Sequence, residues 1–454
     1  MTTVRAAAVV AIVPLLMVGA LQIIQAHASY PWHPFVASDP GVRGGPAGAG
    51  DHLAGLTDSQ HAFFEQSQIE FEQIEDTEEG LGPRFNLDSC VGCHSQPASG
   101  GSSPFENPQV AVATALGATN AVPSFITLDG PVREARFKTD ANGSADGLVH
   151  SLFVVSGRSD APGCTAVQEN FEAQVAANNI TFRIPTPTFG AGLIEMIPDY
   201  QIVANRKADR ASKQAFGIAG RENHNGNDGT IARFGWKAQN KSLLLFAGEA
   251  YNVEMGITND NFQTERDENP NCQFTPAPNT VTNTDAENHP EIISAIEQFG
   301  IFMRFLAPPT PSRYTPGGAT SIAYGRQTFS DVGCALCHTP RFTTGNTTIA
   351  ALANKRVNLF SDLLLHNMGP GLADDISQGQ AKGDEFRSAP LWGLGQRIFF
   401  LHDGRTTDLK FAIREHRSAA NETYEDSEAN ASVNLFDALS EQSKQNLLNF
   451  LRSL

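Results

Sequence analysis

The chain has 454 residues, of which 41% are hydrophobic and 18% are charged, with 40 Gly and 26 Pro. This composition is that of a folded globular protein, and it excludes a disordered or fibrous chain. The 32 Lys and Arg against 49 Asp and Glu give a formal net charge of −17, which argues against nucleic acid or an anionic membrane surface as a partner. A small substrate or a basic protein partner fits this charge better.

Residues 1–28 have the pattern of a secretory signal peptide. A short segment whose one charge is Arg5 precedes an apolar run over 6–24, and a small-x-small cleavage site follows at 26–28. The run is nearly long enough for an uncleaved membrane anchor, but the Pro and Gly within it favour cleavage. We therefore expect a periplasmic protein without a membrane contact after cleavage. Its Pro- and Gly-rich residues 29–55 are predicted to form a flexible N-terminal segment.

Apolar periodicity and turn residues predict further elements along the chain. In chain order they are a helix capped near Thr57, strands over 124–133 and 147–155, and helices over 291–306, 323–329 and 435–454. Two short cysteine motifs, at 90–94 and 334–338, each follow one of these helices. The prolines just after residue 306 end the preceding helix and mark a domain boundary.

The two motifs are copies of one pattern, C-x-x-C-H, which uses four of the six cysteines. They consist of Cys90, Cys93 and His94 and of Cys334, Cys337 and His338. The pattern is the attachment site of c-type haem, because two thiols three positions apart lie on one side of a helical turn and can bond to the two vinyl groups of one porphyrin. The imidazole that follows becomes the proximal ligand of the iron. The alternative is a zinc or redox cysteine pair, which the histidine after each pair and the exported location disfavour.

The sequence therefore predicts two covalently attached haem c groups and a mainly α fold with two cytochrome c-like haem domains. The first domain, 56–307, is enlarged by a β-containing insertion, and the second is 308–454. The remaining Cys164 and Cys272 lie in loop-like sequence of a protein expected in an oxidising compartment, so we predict a disulfide between them. No cysteine then remains as a free redox thiol.

Seven further stretches of the sequence, together with the two motifs, carry a resemblance to a known family. They are 82–86, 183–193, 233–239, 252–256, 361–369, 386–393 and 401–405. With the two haem motifs, they resemble the di-haem oxidoreductase family of bacterial peroxidase-like proteins, often labelled thiol oxidoreductases. That family is related to the di-haem cytochrome c peroxidases and to the enzyme that matures methylamine dehydrogenase. The resemblance implies a first haem that reacts with hydrogen peroxide or oxygen and a second haem that transfers electrons.

The resemblance also implies a catalytic acid–base group at the first haem. A haem that uses peroxide needs such a group to move a proton between the peroxide oxygens. Glu254 and Met255 match the Glu-Met pair whose carboxylate has this role in the related peroxidases. Glu249 is the weaker candidate, and the alternative for Glu254 is an ordinary surface acid.

The first haem is expected to have an open sixth position. The peroxidases that need reductive activation carry a distal histidine about 16 residues after the proximal one, whereas this chain has Val110 there and no histidine between His94 and His150. The resemblance therefore implies five-coordinate iron, as in the methylamine dehydrogenase maturation enzyme. His150 and His224 are the histidines that the fold could still bring to this iron.

His416 is the expected second ligand of the second haem. It stands 14 positions after His402, where the relatives place Met or Tyr, so ligation by His338 and His416 would be a departure from them. Two imidazoles predict a lower potential than His and Met, because thioether ligation raises it. Met368 and His366 are competing ligands, and a solvated helix histidine is the alternative for His416.

Trp236 matches the tryptophan that lies between the two haems in the relatives, where an indole can relay an electron; a core tryptophan is the alternative. The arginines proposed to pair with haem propionates are Arg84, Arg183, Arg233, Arg387 and Arg405. A Ca²⁺ ion lies between the haem domains of relatives, but its ligand pattern is not legible in this sequence.

The expected electron partner is a small, basic, soluble redox protein. Two other functions remain open from the sequence. One is an electron-transfer dihaem cytochrome without catalysis of its own, and the other is a haem oxygenase or protein-modifying enzyme built on the same haem pair.

Overall fold

The computed structural model describes residues 35–267, 269–286, 292–312 and 316–454. The predicted signal peptide, 1–28, lies outside these residues. Contacts divide the chain into two units, Met1–Ala37 and Ser38–Leu454, and all the elements named below belong to the second unit. No helix in the described ranges is both long and apolar enough to cross a membrane.

Thirteen α-helices are described in Ser38–Leu454. They are α1 (Asp58–Glu72), α2 (Cys90–Cys93), α3 (Gln109–Val112), α4 (Phe171–Ala176), α5 (Ala191–Glu195), α6 (Asp199–Lys207), α7 (Arg210–Phe216), α8 (Leu243–Met255), α9 (Ala295–Phe305), α10 (Gly318–Asp331), α11 (Leu409–Glu415), α12 (Asn430–Ala438) and α13 (Glu441–Ser453). Short 3₁₀ turns are also present, among them Pro270–Cys272 and Cys334–Leu336.

The described strands are short and antiparallel. They are β1 (Arg84–Phe85), β2 (Glu134–Phe137), β3 (Val149–His150), β4 (Phe153–Val154), β5 (Ile180–Arg183), β6 (Asn223–His224), β7 (Ile231–Ala232), β8 (Phe342–Thr343), β9 (Arg356–Val357), β10 (Leu365–Asn367) and β11 (Glu385–Arg387). One sheet has three strands in the order β3-β2-β5, and the pairs β1-β4, β6-β7, β8-β9 and β10-β11 form two-stranded sheets. Helices and small sheets therefore occur throughout Ser38–Leu454, and the mainly α class is not confirmed. The predicted domain boundary at 307/308 stays a prediction.

Helix α1 forms as the sequence predicts and supports the first haem motif. Thr57 and Gln60 make a reciprocal capping box, in which each side chain accepts a hydrogen bond from the backbone N–H of the other. Phe64 and Phe71 are buried and pack on Phe302 of α9, at ring-centroid distances of 5.4 and 4.5 Å. The ring centroids of Phe71 and His94 are 6.1 Å apart, so this aromatic cluster packs beside the first motif.

Helix α10 packs on α13 behind the second motif. Gly325 permits the approach, because a Cβ at this position would overlap the Asn446 carbonyl. The Phe329 and Phe450 rings meet across the contact with centroids 5.5 Å apart. The single helix predicted over 435–454 is two helices, since Ser440 has extended backbone angles and its hydroxyl caps α13 by accepting from Ser443 N.

The strand predicted over 124–133 is wrong. Backbone bonds from Ile126 to Pro123 and from Gly130 to Thr127 close local turns there, and the strand lies instead at Glu134–Phe137. The strand predicted over 147–155 is broken into β3 and β4.

From Ser38 onward, the segment predicted to be flexible makes specific contacts. Arg43 N donates to the Gly395 carbonyl at 2.8 Å, and Leu53 N donates to the Phe305 carbonyl at 2.7 Å. Asp39 forms an ion pair with Arg452 of α13, in which both side chains are buried. These contacts differ from the flexible lead-in that the Pro and Gly content predicts.

Candidate active site: two cavities that meet at Trp236

Each C-x-x-C-H motif lines a large cavity. The first cavity has an empty volume of about 1090 Å³ and the second about 1400 Å³, with space open to solvent included. The four cysteines of the motifs are half-buried and carry free thiols. Both cavities are lined mainly by apolar side chains, as expected of a cofactor site.

The first motif forms α2, and its histidine is oriented by a backbone carbonyl. The Ser89 hydroxyl caps the helix by accepting from Gly92 N at 3.2 Å. His94 Nδ1 donates to the Gly101 carbonyl at 2.9 Å, so the proton is on Nδ1 and the lone pair of Nε2 remains for a metal. Burial lowers the pKa of His94, which keeps the imidazole neutral.

Two histidines in the second cavity have the same arrangement. His338 Nδ1 donates to the Phe360 carbonyl at 3.1 Å, and His416 Nδ1 donates to the Ala412 carbonyl at 2.8 Å. Burial lowers the pKa of His338 to about 4, with a further contribution from nearby His416, and burial also lowers the pKa of His416. Two neutral imidazoles, each with Nε2 available, therefore line one cavity.

Neither ring nitrogen of His366 is free to bind a metal. Its Nδ1 donates to Glu428 at 2.7 Å and its Nε2 donates to Asp362 at 3.0 Å. Burial alone would lower the pKa of His366, but its acidic neighbours, Asp362 among them, raise it well above its usual range. An imidazolium has no lone pair for iron, whereas Met368 lines the second cavity and remains a competing ligand.

Glu254, near the end of α8, lines the first cavity together with Glu134 of β2. The two carboxyl groups are hydrogen-bonded to each other, and Glu254 Oε2 accepts from Asn86 Nδ2 at 2.7 Å. Burial and the charge of Glu134 raise the pKa of Glu254 well above its usual range. Burial opposes the ionisation of Glu134, but Arg136, whose Nε lies 2.6 Å from Glu134 Oε1, lowers its pKa. The pair therefore holds one proton, with Glu254 the acid and Glu134 the carboxylate.

The other predicted acid and histidine candidates lie elsewhere. Glu249 accepts a hydrogen bond from Asn240 and does not line the first cavity. His150 is held between Asp146 and Glu169, and His224 is exposed. Within the described ranges, His94 is thus the one histidine that lines the first cavity.

Trp236 lines both cavities. Its Nε1 donates to the Ile184 carbonyl at 2.9 Å, which fixes the indole. The indole meets the His402 ring edge-on at a centroid distance of 6.4 Å, and His402 stacks on Phe386 at 4.4 Å. His402 and Phe386 both line the second cavity.

Four of the five predicted propionate arginines already have carboxylate partners. The pairs are Arg84 with Asp267, Arg183 with Asp374, Arg233 with Asp199, and Arg405 with Asp403 and Glu415. Arg387 has no ion pair within the described part of the chain, and its Nε donates to the Gly235 carbonyl at 3.1 Å. Burial lowers its pKa to about 10.

Arg397, which sequence reasoning missed, is the second such group. Its guanidinium lines the second cavity without an ion pair or side-chain hydrogen bond to a described residue, and burial lowers its pKa to about 10. Two cations without an anion suit the propionates of a haem. The paired thiols and the free Nε2 atoms therefore fit haem as the cofactor of both cavities, and the two arginines suit the propionates of a haem in the second cavity.

Two further predictions concern links outside the cavities. Cys164 and Cys272 are joined by a disulfide, with Cα atoms 4.5 Å apart, which ties the loop after β4 to the turn Pro270–Cys272. In the ranges that the structure describes, no group of three or more His, Cys, Asp or Glu could hold a metal ion. The Ca²⁺ ion that relatives carry therefore has no site assigned to it among the described residues.

Residues 133–454 match the family model described as "Di-haem oxidoreductase, putative peroxidase". No curated protein matches the chain. Among the solved structures that do match, hydrazine synthase of Kuenenia stuttgartiensis is 19% identical over 37% of this chain and 56% of that one, with a TM-score of 0.24. A MauG-like protein associated with microbial copper homeostasis is 20% identical over 37% of this chain and 55% of that one, with a TM-score of 0.26. The match thus spans little more than half the length of either solved chain.

Proposed function

The chain belongs to the di-haem oxidoreductase family, and on this basis we propose that it is a periplasmic c-type di-haem oxidoreductase of the peroxidase type. One haem would be attached through Cys90 and Cys93 and the other through Cys334 and Cys337. The first cavity would react with hydrogen peroxide or oxygen, and the second would deliver electrons to it. Bound haem supplies the redox chemistry, that is, an iron able to exchange electrons with a substrate oxygen.

The carboxyl pair in the first cavity carries this proposal. Heterolysis of peroxide is easiest when one oxygen gains a proton and leaves as water, so a group beside the iron must move that proton. Glu254 starts with a proton and Glu134 starts without one, so the pair can donate and accept within the same cavity. The Asn86 amide donates to Oε2 of Glu254 and thereby fixes the orientation of its carboxyl group.

An open coordination position is part of the same proposal. His94 would hold the iron of the first haem, and none of the other histidines in the described ranges lines the first cavity. The iron would then have a position available to a peroxide or oxygen molecule.

The second cavity is proposed to be the electron-transfer site. His338 and His416 would both hold its iron, each through Nε2, and this haem would then serve electron transfer without binding a substrate. Trp236 borders both cavities, is fixed through its N–H and contacts His402, which suits an electron relay between them.

Replacing Glu254 tests the proposal directly. Glu254→Gln keeps the shape and the Asn86 contact but removes the proton donor, so the rate of reaction with hydrogen peroxide should fall by about a hundredfold or more, within the range of about 10² to 10⁴ for positioned acid–base groups. Stopped-flow absorption of the di-haem protein measures this rate.

Glu249→Gln is the matched control, because Glu249 lies on the same helix outside the cavity, and its rate should stay at the wild-type value. Both variants must retain two haems by mass. An unchanged rate in Glu254→Gln would remove the assigned role. A wild-type protein that does not respond to peroxide would favour the electron-transfer cytochrome, and an oxidised organic or protein product would favour the oxygenase or protein-modifying alternative.

A further inference from the structure

Lys237, the neighbour of Trp236, has an ammonium group completely enclosed in the protein. The residue has no exposed surface. Its Nζ lies 2.8, 3.2 and 3.0 Å from the carbonyl oxygens of Lys382, Gly383 and Glu385. It lies 3.0 Å from Asp374 Oδ1 and 4.0 Å from the centroid of the Phe386 ring. Four oxygens and the face of one ring thus surround the ammonium group. Oxygen atoms are also the ligands that hard metal cations prefer.

This cation site lies between groups that line the two cavities. Asp374 also accepts two hydrogen bonds from Arg183, which lines the first cavity. Phe386, under the ammonium, stacks on His402, and both rings line the second cavity. The network therefore runs from the wall of the first cavity to the wall of the second.

The same site joins the Trp236 turn to strand β11. The three carbonyls around Nζ belong to residues at the start of β11 and just before it. Beside them, Arg387 N donates to the Trp236 carbonyl at 2.9 Å and Arg387 Nε donates to the Gly235 carbonyl at 3.1 Å. Without the ammonium, the three carbonyls and Oδ1 of Asp374 would lose their charged donor, and only backbone N–H groups would remain to the Lys382 and Gly383 carbonyls and to Oδ1 of Asp374.

We infer that Lys237 is a positioning residue whose ammonium serves as a built-in cation between the two cavities and holds Trp236 where it borders both. The consequence for electron transfer rests on the proposed relay role of Trp236, whereas the cation site does not. Burial lowers the pKa of Lys237 to about 8, an effect that Asp374 partly offsets, so the group is charged at neutral pH. Arg183 and Lys237 share Asp374, and the three carbonyl dipoles add to the compensation of the Lys237 charge.

The test removes the side chain and returns its charge as a separate molecule. In the di-haem protein, Lys237→Ala leaves an oxygen-lined cavity that n-propylammonium fits, since it replaces the three missing carbons and the nitrogen. We expect the variant to have a lower thermal midpoint, which n-propylammonium restores in a saturable manner through linked binding. Neutral 1-propanol should not restore it, and the midpoint of the wild type should not respond to either additive.

Lys237→Met fills the same space without a charge. It provides a second test, which remains available if the alanine variant does not fold. We expect Lys237→Met to have a lowered midpoint and a slower transfer of an electron from the second haem to the first, with neither restored by n-propylammonium. A methionine variant equal to the wild type in both respects, or equal rescue of the alanine variant by 1-propanol, would overturn the inference. A rescued midpoint with an unchanged transfer rate would leave the cation site intact and remove the relay role of Trp236.

Discussion

At the scale of single residues, the second ring nitrogen of each histidine decides whether it can bind iron. Nδ1 of His94, His338 and His416 donates to a backbone carbonyl, which leaves Nε2 free. Both ring nitrogens of His366 and of His150 are bound to carboxylates, which withdraws these two histidines from ligation.

Exchanging the proposed ligand His416 should therefore change the potential of one haem. In His416→Met a thioether replaces an imidazole, so that haem should become easier to reduce by on the order of a hundred millivolts, a fraction of the range of about 0.8 V that axial ligands span. Spectroelectrochemical titration measures both haems. Met368→Leu is the matched control and should leave both potentials in place; a shift in Met368→Leu with none in His416→Met would make Met368 the ligand.

Only some residues of this site could be predicted from the sequence. The motif spacing predicts His94 and His338 as cavity residues, and the resemblance to the family, through the distance from His402, implies His416. Glu134 could not be found in this way, because its partner Glu254 is distant in the sequence and the two meet only through the folding of β2 against the end of α8. Arg397 lies outside the motifs that carry the resemblance, although an arginine directly before the apolar run 398–401 is a signal that could have marked it.

At the scale of elements, a buried ion pair fastens the N-terminal segment to α13. Asp39 accepts from Arg452 Nε and Nη2 at 2.7 and 2.6 Å, and the side chains are 6% and 1% exposed. Asp39→Asn leaves the guanidinium without its charge partner, so the free energy of unfolding should fall by about 3–5 kcal/mol. Denaturant unfolding at neutral pH measures the loss.

The control and the pH dependence of this pair follow from exposure and charge. Asp437→Asn breaks more exposed pairs with Arg414 and Arg417 and should change the free energy by only about 0–1 kcal/mol. Burial alone would raise the pKa of Asp39, but Arg452 brings it below its usual value. The contribution is therefore complete above the unfolded pKa of about 3.9 and is lost as the pH falls through the lower folded value. Equal losses in both variants would contradict this assignment.

Element prediction succeeds where the decisive interactions are local. The cap at Thr57 and the apolar face of α1 are within one helix, and α1 forms where the sequence predicts it. Helix α10 contains the predicted residues 323–329 but begins earlier, at Gly318, without a side-chain cap. Strands as short as β3 and β4 are fixed by partners far along the chain, and a period of two residues cannot be read from a two-residue strand. The predicted strand over 124–133 fails for a different reason, because local turns satisfy hydrogen bonds of its backbone.

At the scale of the whole molecule, the net charge of −17 limits which electron partner can dock. Removal of the predicted signal peptide takes away Arg5 and makes the mature chain one unit more negative, and haem propionates would add further negative charge. We therefore propose a small, basic, soluble redox protein as the partner, because opposite charges steer encounter.

Raising the ionic strength from about 0.01 to about 1 M shortens the Debye length from about 30 to about 3 Å. The bimolecular rate of electron transfer with a basic cytochrome should then fall at least about tenfold, the lower bound of electrostatic steering. Stopped-flow mixing measures this rate, and an uncharged redox dye is the control whose rate should not depend on salt. A rate with the cytochrome that is as insensitive to salt as that of the dye would mean that the acidic surface does not guide docking, and the partner would then have to be recognised through apolar contact.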